Sequence, residues 1–177
     1  MLALIAHPLS KAGAVASISV DVARAQAALS VRFELRGSID ALIVPPHAAP
    51  ARTDGLWQTT CFEVFIQPIG SPDYWELNFS PSTAWAAYRF SSYRSAMTDG
   101  LAAPTIACTV APDAIVLDAA CVLDGPCADA EWALGLSAVI EAREGEKAYW
   151  ALAHPAGAPD FHHRDCFAAR IAPSVRL

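Results

Sequence analysis

Hydrophobic residues recur along this chain with a period of two. Residues 29–36, Leu-Ser-Val-Arg-Phe-Glu-Leu-Arg, set Leu29, Val31, Phe33 and Leu35 on one face and mostly polar side chains on the other, the pattern of a half-buried strand. Ile18, Val20 and Val22 alternate in the same way with Ser17, Ser19 and Asp21. Between them, residues 21–29 are rich in Ala, Arg and Gln, which favour helix. The alternation on both sides makes two strand ends and a turn the better reading. Further strand-like runs occupy 61–67, 73–79, 84–90, 105–110, 114–122, 131–141 and 148–153, with a last one near 166–171. Gly, Pro, Asp and Ser fall between them, as in Pro68-Ile-Gly-Ser-Pro-Asp73, Asp124-Gly-Pro126 and Glu144-Gly-Glu-Lys147, the last at hairpin distance. About ten short strands with hardly a helix predict an all-β fold, an antiparallel β-sandwich. The 177 residues fit one domain spanning 1–177, with no linker or repeat. Residues 44–56 form the one long irregular loop, and long loops in compact domains tend to carry function.

Composition narrows the classes. A hydrophobic share of 54% with 17% charged residues excludes a disordered chain. Much of that share is alanine, and no stretch approaches 18 uninterrupted apolar residues, so no membrane partner is expected. A net charge of −6 argues against sequence-independent nucleic-acid binding, which needs a basic face. The start, Met1-Leu-Ala-Leu-Ile-Ala-His-Pro8, lacks the basic residue and long apolar run of a secretory signal, so a mature N-terminus is expected. Five cysteines, Cys61, Cys108, Cys121, Cys127 and Cys166, form an odd set with no Cys-x-x-Cys pair, which predicts reduced thiols and a cytoplasmic protein.

None of the nine glycines forms a Gly-x-Gly pair, so dinucleotide and phosphate-loop fingerprints are absent, as are Gly-x-Ser-x-Gly and His-Glu-x-x-His. A nucleophilic pair of Cys61 or Cys166 with His154 or His162 has no supporting pattern beyond chance. The C-terminal cluster His154…Asp160-Phe-His-His-Arg-Asp165 holds zinc- or calcium-type ligands. His162 and His163 are adjacent, however, and on a strand they would face opposite ways. Ordering of the chain end, with Asp160 capping and His162 bonded to a sheet residue, is the reading preferred to a metal site.

Chemistry concentrates in residues 57–94, which hold three of the five Trp and three of the four Tyr. Alternation puts Glu63 opposite in face to Phe62, Val64 and Ile66, and Tyr74, Glu76, Asn78 and Ser80 together opposite Trp75, Leu77 and Phe79. If these strands pair, one sheet face carries Glu63, Glu76 and Asn78 among aromatic rings. Carboxylates and an amide give directional hydrogen bonds to hydroxyls, and flat rings stack on apolar faces of pyranoses, a sugar- or polyol-type site. The competing reading is a polar surface face on which Glu63 pairs with Arg89 or Arg94. A glycosidase pair of Glu63 and Glu76 is the enzymatic alternative.

The stretches Leu-Trp-Gln-Thr-Thr-Cys-Phe-Glu-Val-Phe-Ile (56–66), Tyr-Trp-Glu-Leu-Asn-Phe-Ser-Pro-Ser (74–82), Trp-Ala-Ala-Tyr-Arg-Phe (85–90) with Tyr93-Arg94, Tyr149-Trp-Ala-Leu-Ala-His154-Pro and Pro159-Asp-Phe-His162 resemble bacterial DOMON-like domains, relatives of the family 9 carbohydrate-binding modules. The resemblance covers nearly the whole chain. It implies an immunoglobulin-like β-sandwich that binds a sugar or haem without catalysis. Together with the strand faces it assigns stacking surface to Trp57, Trp85 and Tyr88, hydrogen bonds to Glu63, Glu76 and Asn78, and a rim or orienting role to Arg94, His154 and His162. For the haem alternative, a b-type haem would take Met97 and His162 as axial ligands. The leading expectation is a small hydroxyl-rich ligand, with no cofactor, no metal and no catalytic residue.

Overall fold

The computed structural model describes all residues except 12, 96, 100–102, 124–128 and 174–177. The expected turn at Asp124-Gly-Pro126 and Cys127 lie outside the described residues. Among those described, twelve strands alternate with three single 3-10 turns, and no longer helix occurs. In chain order the strands are β1 (Leu2–Ala6), β2 (Val15–Ala25), β3 (Ala28–Gly37), β4 (Cys61–Pro68), β5 (Tyr74–Phe79), β6 (Trp85–Phe90), β7 (Thr98–Asp99), β8 (Thr105–Ala111), β9 (Ala114–Val122), β10 (Trp132–Glu141), β11 (Lys147–Ala151) and β12 (Ala169–Ile171).

Two antiparallel layers face each other, an immunoglobulin-like β-sandwich. One runs β1-β2-β3-β9-β8, the other β7-β6-β5-β4-β10-β11, and β12 pairs with the start of β10 on the edge opposite β4, which β11 takes further along. Strand β1 joins them: Leu2–Leu4 pair with β2, and Ile5 and Ala6 pair with β11. This strand was not among those expected, because only Leu4 of its five residues is buried and it shows no alternation. The helix-prone stretch 21–29 is indeed two strand ends, with Gln26 at φ 55° in the turn between β2 and β3. Val15 and Ile18 are an odd number of residues apart yet both buried. A bulge between Val15 and Ser17 restores them to one face.

The main core lies between the layers, where Phe33 of β3 meets Phe62 of β4 with ring centroids 5.1 Å apart. The β2–β3–β9 layer keeps a wet outer face carrying pairs such as Arg32–Asp118 at 2.7 Å. The second layer is different. Strands β4, β5 and β10 are buried on both faces, so their outward side chains form a second, smaller core with Leu56, Phe161 and Phe167. Two irregular segments cover that outer face, residues 44–60 before β4 and residues 152–168 after β11. Gly135 allows the close approach: a Cβ there would lie 3.2 Å from the Phe65 Cβ and 3.3 Å from the Cys166 carbonyl oxygen.

Candidate functional site

The covered face of the β4–β5–β10 layer encloses a cavity of about 670 Å³. Its floor follows from strand register. Glu63 on β4 pairs with Asn78 on β5 and with Ser137 on β10, while Glu76 on β5 pairs with Phe65 and with Tyr88 on β6. Period-two pleating therefore brings Glu63, Glu76 and Asn78 onto one face, as the sequence pattern predicts. Glu63 is 3% exposed and Glu76 6%, and both line the cavity.

Among the described residues no arginine pairs with Glu63, contrary to the ion-pair reading: Arg89 bonds to Asp73 at 2.6 Å and Arg94 to Asp160 at 2.8 Å. Glu63 Oε2 accepts a hydrogen bond from the Ser137 hydroxyl at 3.1 Å, and Glu76 Oε1 accepts one from Asn78 Nδ2 at 2.8 Å. Burial, with the charge of Glu76 adding to it, pushes Glu63 up to about 8 against the opposing bond from Ser137. Burial also raises Glu76, opposed by Asn78 and by the charge of Arg94. Burial and mutual repulsion of the two acids thus favour a proton shared between them.

The C-terminal cover supplies His162. Its Nε2 lies 3.5 Å from Glu76 Oε2, and its Nδ1 lies 2.8 Å from the Tyr74 hydroxyl, which accepts from the Arg94 backbone N–H at 3.0 Å. Burial, then the charge of Arg94, lowers His162 to about 4. The approach to Glu76 is thus a contact of a neutral imidazole and not an ion pair. A Tyr74 hydroxyl that donates to Nδ1 puts its own proton to use and leaves the Nε2–H facing Glu76, the tautomer that suits an ionised Glu76. The ring sits edge-on against Phe65 and Phe90, at 5.1 and 5.3 Å between centroids.

The walls are aromatic and the rim is charged. Tyr88, its hydroxyl bonded to Asp54 at 2.7 Å, meets the half-exposed Trp57 edge to face at 6.4 Å. Across the opening, Asp160 accepts from the Tyr93 hydroxyl at 2.6 Å and from the Arg94 guanidinium at 2.8 Å, and also from the His162 backbone N–H at 3.2 Å. Arg94 itself adopts φ 52°, a left-handed backbone that a non-glycine residue rarely takes. The two edges of the cavity are latched through Asp160.

Of the nine residues proposed from sequence, the cavity brings together Trp57, Glu63, Glu76, Tyr88, Arg94 and His162. Three take other places. Trp85 is 7% exposed and packs in the core between the layers, since it is three residues from Tyr88 and a strand turns such residues to opposite faces. Asn78 is wholly buried and bonds Glu76 without lining the cavity. His154 bonds the Ile5 carbonyl through Nε2 at 2.9 Å and packs on His7, away from the floor. Tyr74, Ser137 and Asp160 complete the network without being among the nine, although Asp160 caps the His162 N–H and His162 bonds a sheet residue, Tyr74, as the sequence reading of the chain end expects. Ser137 left a trace in the sequence, a hydroxyl in an otherwise apolar strand.

The residues do not fit a haem. Both ring nitrogens of His162 face Tyr74 and Glu76, and Met97, which lines the cavity, is 59% exposed. Among the described residues no group of three His, Cys, Asp or Glu side chains could hold a metal ion. The Cys166 thiol donates to the Asp160 carbonyl at 3.2 Å and is pushed up to about 12 by burial, and burial likewise raises Cys61, so neither is a poised nucleophile.

No protein-family description matches this chain, and no curated protein matches it in sequence. Solved structures do match in shape. A Bacteroides uniformis ATCC 8492 protein proposed to bind carbohydrate superposes with a TM-score of 0.63 at 10% identity, over 89% of this chain and 78% of that one. A family 9 carbohydrate-binding module from Caldicellulosiruptor kristjanssonii, solved with glucose, superposes with a TM-score of 0.53 at 13% identity, over 91% and 78%. What is shared at this identity is the fold, the sandwich of the family 9 modules.

Proposed function

We propose that this chain is a DOMON-like domain that binds a small, hydroxyl-rich, carbohydrate-like ligand without transforming it, in the cavity over the β4–β5–β10 face. The observation that carries this reading is the union, in one cavity, of two buried carboxyl groups, without an arginine ion pair among the described residues, with aromatic walls at Trp57 and Tyr88. Glu76 and the His162 Nε2–H supply an acceptor and a donor for ligand hydroxyls. Rings give the apolar face of a pyranose a surface to lie on. The fold shared with a module solved with glucose supports the same ligand class.

A thermal-shift and calorimetry panel of neutral sugars, uronates and polyols, D-glucose included, tests the proposal. A ligand at a hundred times its Kd stabilises by about 2.7 kcal/mol, which for a chain of this length raises Tm by roughly 5–10 °C. Glu76→Gln removes that shift while leaving the fold intact. A panel in which no sugar or polyol moves Tm overturns the carbohydrate reading, and turnover of aryl glycosides lost in Glu63→Gln or Glu76→Gln replaces binding with catalysis.

A further inference from the structure

The amide of Asn78 stands beside both buried acids, and it treats them differently. Asn78 is two residues from Glu76 along β5 and directly opposite Glu63 on β4. Opposed side chains on neighbouring antiparallel strands have Cβ atoms about 5 Å apart, within hydrogen-bonding reach for a Glu and an Asn. The Nδ2 end donates to Glu76 Oε1 at 2.8 Å. The Oδ1 end is buried with no hydrogen-bond partner.

Buried acceptors in native proteins seldom stay unpaired. Around Asn78 on this face, Ser80 Oγ accepts from the Ser82 hydroxyl at 2.9 Å and makes no bond to the amide oxygen, and Ala86, opposite on β6, has nothing to donate. Glu63 remains. An ionised carboxylate only accepts, so Glu63 completes the amide only while it carries a proton. Its other oxygen is already served by the Ser137 hydroxyl. Turning the amide over would exchange the roles of the two acids but would still require one proton between them.

We infer that Glu63 is a positioning residue, a neutral acid that donates its proton to Asn78 Oδ1 and so fixes the amide whose nitrogen holds Glu76 as the carboxylate that meets the ligand. The hydrogen bonds then run in one direction. Ser137 donates to Glu63, Glu63 to Asn78, and Asn78 to Glu76. The proton stays on Glu63, and no bond to carbon forms or breaks. The titratable and charged groups around the cavity are Cys61 on the same strand, Glu76 on β5, Tyr88 on β6, Lys147 and Tyr149 on β11, and Arg94, Asp160 and His162 at the rim and cover. Arg94 is committed to Asp160. The role given to Glu76 rests on the carbohydrate reading, whereas the protonation of Glu63 needs no ligand.

Carboxyl ¹³C NMR of protein labelled at its glutamate side chains tests this, with the two resonances assigned by their loss in Glu63→Gln and Glu76→Gln. In the wild type the Glu63 signal stays at the protonated position through pH 7. In Asn78→Leu, Glu63 loses the acceptor of its proton and titrates lower, while Glu76 loses a donor to its ionised form and titrates higher. Opposite movement in one variant is not expected from altered packing alone. Glu63 already ionised at pH 6, or both midpoints moving together, overturns the proposal, and the wild-type titration decides if Asn78→Leu does not fold. Added D-glucose shifts the Glu76 signal and leaves the Glu63 midpoint in place, and the reverse pattern overturns the assignment of roles. A titration as described with no response to any sugar leaves the neutral acid standing and removes the carbohydrate reading. By the same logic Glu63→Ala loses at least tenfold more sugar affinity than Glu63→Gln, whose amide also donates. Equal losses in the two count against positioning.

Discussion

Replacing Glu63 with Gln changes the stability of this domain in a way that depends on pH, and the sign follows from the floor of the cavity. Glu63 is raised from an ordinary 4.5 to about 8 because its charge would be buried beside Glu76. Between those values the folded state holds a proton that the unfolded state has released. The contribution of Glu63 is therefore fully present below pH 4.5, declines as pH rises, and is lost by about pH 8. At 1.36 kcal/mol per pH unit, the loss between pH 5 and pH 8 is on the order of 4 kcal/mol. Gln keeps the shape, the acceptor for Ser137 and a donor, and has no proton to lose. Urea or thermal melts of wild type and Glu63→Gln at both pH values isolate the effect, because any change in packing enters equally at each. The variant gains on the wild type by roughly 8–16 °C in Tm on going from pH 5 to pH 8. A difference that is the same at the two pH values refutes the claim that Glu63 is neutral in the fold.

His162 bends the other limb of the same curve. Its pKa is lowered to about 4, so its contribution is present above 6.5 and lost on acidification through 4, and wild-type melts should show a plateau between about pH 4.5 and 6.5 with declines on both sides. Trp85→Ala empties a core position and costs about 3–5 kcal/mol in denaturant melts, whereas Tyr88→Phe, which loses only the bond to Asp54, costs about 1 kcal/mol or less and lowers sugar affinity. Asp160→Asn weakens the half-exposed latch to Arg94, so it leaves Tm within about 1 kcal/mol of wild type while speeding sugar release in stopped-flow measurements. Gly135→Ala presses on Phe65 and on the Cys166 carbonyl and costs about 1–3 kcal/mol, with loss of the near-ultraviolet aromatic signal from the cover. Haemin added to the purified protein gives no shifted Soret band, since His162 is held at Nδ1 by Tyr74 and turns its Nε2 toward Glu76.

The strands were legible because a period of two survives in β2, β3 and β5, and with it the face of Glu76 and Asn78, while in β4 Glu63 is the one charge in an otherwise apolar run. The same arithmetic shows why Trp85 could not share a surface with Tyr88: three residues apart on a strand means opposite faces. Other features carry no periodic signal. Strand β1 is mostly exposed, and the bulge at Val15–Ser17 interrupts the alternation that would reveal it. The segments that roof the cavity are irregular, and their positions depend on long-range packing such as Phe161 and Phe167 against the β4–β10 face. Asn78 was chosen for its side chain and found wholly buried, because its register partner and its roof are tertiary facts.

The buried residues of the inter-layer core include none from segments 45–60 or 152–168. Apart from Val44 and Leu152, which pack partly buried against that core, the parts of the chain that enclose the cavity are separate from the parts that hold the two layers together. Sequence drift in those segments can reshape what enters while the framework beneath keeps its cohesion, so domains of this architecture are able to diverge in taste long before they diverge in form.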